Sequence, residues 1–175
     1  MTDIVIAGDR IALRAPLPDD AEALFAAVTS DPKVTRYLSW LPHRTVEETR
    51  SVITGLFNVG IDHTWLITLR DTGELVGQIG YLRAEPHAVQ VGYALGRQFW
   101  GRGLAGEALR LLIDHLRADP ALFRAAAYVH PDNHRSARVL ERADFTFEGR
   151  PARAITFAGL AAEPQDALLY GMALR

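Results

Sequence analysis

Cysteine is absent from this 175-residue chain. That excludes disulfides, cysteine–zinc sites and a cysteine acyl-enzyme, and it agrees with a reducing compartment. Lysine is nearly absent too: Lys33 is the only one, and every other cationic side chain is arginine or histidine. Neither sign of charge dominates. Nineteen Lys and Arg residues against 21 acidic ones leave a net charge of −2, so no basic field calls for nucleic acid or an anionic membrane. The opening residues Met1-Thr2-Asp3-Ile4-Val5 lack the basic segment and apolar run of a secretion signal. No run of about 18 apolar residues is present to span a bilayer. Repeats, low-complexity tracts and Pro/Gly/Ser linkers are missing as well. The expectation is one cytoplasmic globular domain over residues 1–175, with 49% hydrophobic residues to fill its core.

Hydrophobic spacing divides the chain into elements. Residues 4–14 read as a strand broken by Gly8-Asp9. Asp19 and Asp20 cap an amphipathic helix carrying Ala21, Leu24, Phe25 and Val28. An aromatic loop covers 36–43. Thr45, with Glu48 three residues on, opens a second helix that runs to about Val59. From Thr64 the period becomes two, with a turn at Asp71-Thr72-Gly73 and strands to Leu82 and over 88–95. A helix over 102–117, a strand over 125–130, a short helix over 134–142 and strand-like pieces at 145–157 and 166–174 follow. This order predicts a mixed α/β arrangement around one sheet.

The most informative segment is the glycine-rich turn 96–106, between a predicted strand and a predicted helix. Glycines let the backbone approach a ligand, because no Cβ intervenes. A helix start offers unpaired N–H groups and partial positive charge to a pyrophosphate, and Arg97 and Arg102 add full charges. Residues 101–106 spell G-x-G-x-x-G, yet a dinucleotide fold does not fit. Five residues separate Leu95 from Gly101, and only 69 residues follow Gly106. The acidic residue expected about 20 positions on falls at Asp119, in a helix-ending turn rather than at a strand end. His130 and His134 are four apart, but Pro131 between them argues against a helical metal pair. No G-x-S-x-G elbow is present.

The segment Gln98-Phe99-Trp100-Gly101-Arg102-Gly103 resembles the acyl-coenzyme A signature of the GNAT N-acetyltransferases, (Gln/Arg)-x-x-Gly-x-(Gly/Ala). Its surroundings strengthen the likeness. Val91-Gly92-Tyr93-Ala94-Leu95 is similar to the family's fourth strand, and Asn133-x-x-Ser136 with Val139-Leu140-Glu141 and Phe145 to its next helix and strand. Arg10-Ile11-Ala12-Leu13-Arg14, Asp20-Ala21-x-x-Leu24-Phe25, Tyr37 to Pro42 and Glu47-Glu48-Thr49 resemble the Rim-type branch, which acetylates ribosomal-protein N-termini. The likeness covers nearly the whole chain and is densest over 89–149.

The resemblance implies a mixed, mostly antiparallel sheet with about four helices, in which the family's fourth and fifth strands run parallel and splay apart. The pantetheine arm of acetyl-CoA would lie in that gap. Backbone groups of Tyr93, Ala94 and Leu95 would hold the arm. The amides of Gly101, Arg102, Gly103, Leu104 and Ala105, with Arg97, Gln98 and Trp100 in the same set, would hold the pyrophosphate. Asn133 would contact the arm, and Ser136 would also protonate the leaving sulfur. Tyr37 and Trp40 are expected at the acceptor amine, while Trp65 and Phe57 have the spacing of core residues. No metal is implied, the acceptor is a protein N-terminus or a small amine, and a homodimer is common among relatives.

Three positions depart from the family pattern. Leu140 stands where many relatives carry a proton-donating tyrosine. Gln90 stands where many carry a glutamate base, leaving Glu85, His87, His130 and Asp166 as titratable residues near strand ends. Asp144 replaces a glycine, which argues against a left-handed turn there. The missing tyrosine and glutamate keep a second reading open, a non-catalytic acyl-CoA-binding or sensing protein of the same fold.

Overall fold

The computed structural model describes residues 5–175; Ile4, assigned above to the first strand, lies outside them. Strand β1 (Ile6–Ala7) turns at Gly8 into β2 (Ile11–Arg14). A 3-10 turn (Pro18–Asp20) leads into α1 (Ala21–Leu24), which continues as a π-helical turn (Phe25–Thr29). Then come α2 (Pro32–Thr35) and α3 (Val46–Gly55). Strands β3 (Asp62–Leu69), β4 (Leu75–Glu85) and β5 (Ala88–Leu95) form a meander. After them follow α4 (Leu104–Arg117), β6 (Arg124–Val129), α5 (His134–Glu141), β7 (Thr146–Gly149) and β8 (Leu168–Ala173).

The eight strands make one sheet in the order β1-β2-β3-β4-β5-β6-β8-β7. Among the described residues, only the β5/β6 neighbours are parallel. The expected mixed, mostly antiparallel sheet with one parallel pair is therefore the observed one. Alternation along the strands divides the core in two. Trp65, Ile67, Val91 and Leu95 join Leu109, Leu112 and Leu116 of α4 in one cluster. Leu66 and Ala94 join Ala21, Leu24, Val28 and Ile53 of α1, its π-helical extension and α3 in the other.

Several local expectations are corrected. Asp20 does not cap α1 with its side chain; the carboxylate instead receives both guanidinium arms of Arg14 and the Leu17 amide. Thr45 caps α3 through the Glu48 amide, but Glu48 reaches back to the Arg44 amide rather than to Thr45. Helix α3 stops at Gly55, short of Val59. Past it Asn58 takes a positive φ of 59°. Its side chain donates to the Thr64 carbonyl at 3.1 Å and accepts from the Thr64 amide at 3.0 Å, as a neighbouring strand would. The piece at 145–157 is a strand only to Gly149, because Pro151 supplies no ladder donor and Arg153 turns left-handed with φ 51°. Asp144 does adopt the left-handed conformation, φ 64°. The Phe145 amide then returns to the Leu140 carbonyl at 3.1 Å and closes α5.

Helix α4 is tied to the start of β2 by one carboxylate. Glu107 is 9% exposed. It accepts from the Arg10 amide and Nε at 2.8 Å each, and from the Ile11 amide at 3.3 Å. Burial pushes the carboxyl up, but these donors outweigh it and hold it below the usual carboxylate range. Glu107→Ala strands two backbone donors and is expected to cost about 2–4 kcal/mol of unfolding free energy in urea at neutral pH. A depressed carboxyl stabilises above its unfolded value and stops doing so as the pH falls through the folded one. The gap between wild type and variant should therefore narrow in acid; a constant gap would contradict the ionic account.

Candidate active site

Strands β5 and β6 pair at three positions: Ala88 with Arg124, Val89 with Ala125, and Gln90 with Ala126. Beyond Gln90 they part. Strand β5 goes on pairing with β4 as far as Leu95, and β6 with β8 as far as Val129. Tyr93, Ala94 and Leu95 thus lie on the diverging arm. The peptide unit after Leu95 is fixed at both ends, since the Gly96 amide donates to the Val76 carbonyl at 2.9 Å and the Trp100 indole to the Leu95 carbonyl at 2.8 Å. Gly77, opposite Leu95, permits this course: a Cβ there would fall 2.2 Å from the Ala94 carbonyl oxygen.

The turn after β5 carries Arg97 and Gln98 in a 3-10 segment, both exposed, with Phe99 buried behind them. Gly101 and Gly103 are left-handed, at φ 76° and 77°. Gly103 is the N-cap of α4 and offers no capping side chain. The first-turn amides, at Leu104 and Ala105, therefore have neither an intrahelical nor a side-chain acceptor. Arg102 is exposed over the Phe99 ring and forms no ion pair with the described residues. Arg97 differs: its guanidinium is bound by the Asp31 carboxylate, so its charge is already compensated.

Helix α5 faces the gap from the other side. Asn133 is its N-cap, the Oδ1 accepting from the Ser136 amide at 3.3 Å. The Ser136 hydroxyl lies 2.9 Å from the Tyr93 hydroxyl, which also donates to the Ser136 carbonyl at 3.3 Å. This contact was not legible in the sequence, where Tyr93 figured only through its backbone. Burial pushes the Tyr93 phenol up to about 12, opposed only in part by the Ser136 bond. Leu140 is fully buried and belongs to the core.

A cleft of about 360 Å³ runs along β4 and β5 from Leu82 and Gln90 to Ala94. Its other wall comes from Thr29, the aromatic loop and α3, with Trp40, His43, Val52 and Phe57. Trp40, expected at the acceptor amine, lines this cleft. Tyr37 does not line the cleft; it stacks on His130 at 5.0 Å between ring centroids. Phe57 packs against the core and lines the cleft as well, whereas Trp65 is buried.

None of the four titratable residues singled out from the sequence lines the cleft. Glu85 and His87 are exposed at the β4–β5 turn, the opposite end of β5. His130 has both ring nitrogens engaged, Nδ1 with the Asp132 amide and Nε2 with Gln165. Asp166 is bound by Arg150 and the Arg153 amide. The titratable residues that do line it are His43, Asp62, Tyr81 and Tyr93, the two tyrosine rings packing against the core cluster on the α4 side of the sheet. Gln78 lines it too, and its buried Oε1 has no hydrogen-bond partner among the described residues.

Residues 10–146 match the family described as an acetyltransferase (GNAT) domain. An uncharacterized N-acetyltransferase of Bacillus licheniformis, p20, is 32% identical over 146 residues, 81% of this chain and 82% of that one. The ribosomal protein uS5-alanine N-acetyltransferase of Escherichia coli is 33% identical over 82 residues, 45% of this chain and 42% of its own. Among solved structures, RimL, a ribosomal L7/L12 α-N-protein acetyltransferase in complex with coenzyme A, superimposes with a TM-score of 0.84 at 26% identity, over 97% of this chain and 98% of that one.

The Tyr93–Ser136 contact makes a direct prediction. An elevated phenol stabilises the fold below its unfolded value, near 10, and loses that contribution as the pH rises through about 12. The Tyr93 ring resonance in a ¹³C titration should stay in its phenol form past pH 11. Ionisation near 10 would contradict the buried contact.

Proposed function

The chain belongs to the GNAT acetyltransferase family and is an N-acetyltransferase; from that premise we propose that it transfers the acetyl group of acetyl-CoA directly to the primary amine of a polypeptide N-terminus. The whole chain would act as one catalytic unit, in the cytoplasm. No helix among the described residues is long and apolar enough to cross a membrane.

The divergence of β5 from β6 carries this reading. The opening has the backbone of Tyr93 to Leu95 on one arm, Asn133 and Ser136 on α5, and the uncapped start of α4 at its end. A pantetheine arm needs backbone partners along its length, and a pyrophosphate needs amides that no Cβ screens. The left-handed Gly101 and Gly103 with Leu104, Ala105 and Arg102 meet the second need. The co-substrate supplies an activated acetyl group as a thioester. In this proposal the Leu95 amide donates to the developing oxyanion, worth about 3 kcal/mol where well aligned. Ser136 delivers a proton to the departing sulfur, its hydroxyl held by Tyr93. Holding amine and thioester in one opening supplies much of the remaining acceleration.

The cleft supports a polypeptide acceptor over a polycation. Asp62 is its only carboxylate among the described residues, already bound by the Asn58 amide and the Thr64 hydroxyl. Trp40, Phe57, Val52 and Ile79 line much of the rest. Leu56 and Leu82 at its edge, with nearby Val59 and Ile61, are exposed apolar residues beside which a chain can lie. Relatives named for acetylating ribosomal-protein termini support the same class.

Gly101→Val and Gly103→Val each force a branched residue into the left-handed region and put bulk at the turn. Either variant, confirmed as folded by circular dichroism, should lose at least tenfold in acetyl-CoA affinity by calorimetry. Unchanged affinity in both would remove the turn from the site. Ser136→Ala should lower kcat by about 100-fold with acetyl-CoA affinity preserved; an unaltered rate removes Ser136 from the chemistry. Short N-terminal-alanine peptides should release thiol from acetyl-CoA faster than spermidine does, and the reverse order would overturn the acceptor class.

A further inference from the structure

A primary ammonium must lose a proton before its nitrogen can attack, and β5 presents Gln90 where a carboxylate would take it. Asp62 already serves Asn58 and Thr64. Tyr81 and Tyr93 are phenols pushed up by burial, so they are protonated at neutral pH and take up no proton. Among the described residues, His43 is the remaining titratable side chain of the cleft.

His43 is held in place from three directions. Its amide donates to the Thr29 carbonyl at 2.8 Å. Its Nδ1 lies 2.8 Å from the Thr49 hydroxyl. That hydroxyl lies 2.7 Å from the Thr29 hydroxyl, and both threonines are buried, at 0% and 2% exposure. The ring also packs against Trp40, 5.3 Å between centroids. With Nδ1 committed to the buried hydroxyls, Nε2 is the nitrogen left for the cleft. Burial pushes the imidazole below its usual value, and the Glu48 carboxylate of α3, itself bonded to the Arg44 amide, opposes this only in part. Asp62 of β3, Tyr81 of β4 and Tyr93 of β5 are the other titratable groups lining the cleft. On β4, Gln78 lines the same cleft, its buried Oε1 without a hydrogen-bond partner among the described residues.

We propose that His43 is the catalytic base of this enzyme, accepting the ammonium proton of the acceptor on Nε2 while Thr49 and Thr29 fix its Nδ1–H. This rests on the acetyl-transfer reading above. The proton balance closes. One ammonium proton goes to His43 Nε2 and from there to solvent. The freed nitrogen pair forms the C–N bond as the C–S bond breaks. A second nitrogen proton is lost as the amide forms, and the sulfur takes up one through Ser136. The products are the amide, the thiol and one released proton. Nδ1 must be the protonated nitrogen in the resting state, donating to Thr49, because only that tautomer leaves Nε2 a lone pair.

The test uses His43→Gln, whose amide still reaches toward Thr49, with His43→Ala beside it and circular dichroism as the folding check. Thiol release from acetyl-CoA with an N-terminal-alanine peptide is measured at pH 7 and at pH 9.5. An unperturbed α-amine titrates near 8, so at the higher pH the acceptor arrives already neutral. His43→Gln should lose about 100-fold in kcat/KM at pH 7 and within about threefold at pH 9.5. An equal loss at both pH values would mean a purely structural role, and no loss at pH 7 would exclude His43 as the base. Independently of activity, ¹⁵N spectra of the free protein should show His43 protonated on Nδ1, bare on Nε2 and titrating below 6.5. A proton on Nε2 at neutral pH would overturn the proposal. Failure of the wild type to bind acetyl-CoA or to release thiol with any amine would sink the acetyl-transfer reading, and the His43 role with it.

Discussion

Backbone amides and carbonyls demand partners, and the site is organised around a place where the sheet stops supplying them. Strands β5 and β6 share three pairs and then part. Each keeps a partner on its far side, β4 for one and β8 for the other. The two ladders outside the opening, and the bare Gly77 backbone against which Ala94 and Leu95 lie, set the course of each arm. An extended ligand carrying its own amides fits such an edge as a further strand would.

The other parts of the site are arranged around that opening. Helix α4 begins at its end with left-handed Gly103 and no cap, leaving donors for an anion. Trp100 pins the Leu95 carbonyl from one side, and the Arg135 guanidinium lies 4.8 Å over its ring. Helix α5 delivers Ser136 to Tyr93. Charge is used sparingly. Arg97 is spent on Asp31, leaving Arg102 as the turn's uncompensated cation among the described residues. The cleft between β4–β5 and α3 is mostly aromatic and aliphatic, and His43 is one of the few titratable side chains on it.

Local spacing made much of this legible. Period-two alternation located the β3–β5 meander, and the glycine pattern located the turn because only particular residues suit a strand-to-helix bend with positive φ. What failed depended on tertiary partners. The pattern Leu56, Phe57, Val59 looked like continued helix, yet Asn58 ended it by bonding to Thr64 in the next strand. Asp144 was read against a left-handed turn that the closing hydrogen bond to Leu140 stabilises. His43 was missed because its meaning comes from Thr29 and Thr49, which only the folded chain brings beside it. Tyr37, an aromatic in a loop and expected at the acceptor, stacks on His130, a partner that only the fold brings to it. The Tyr93 side chain is a further case within a recognised motif: only its backbone was given a role, while its hydroxyl meets Ser136.

A crystal structure of the protein with acetyl-CoA tests the central claim most directly. The pantetheine amides should hydrogen-bond the β5 backbone between Tyr93 and Leu95, inside the fork, with the pyrophosphate on the amides of 101–105 and the thioester within reach of Ser136. Coenzyme bound elsewhere on the surface, with β5 and β6 drawn together past Gln90 and Ala126, would contradict it.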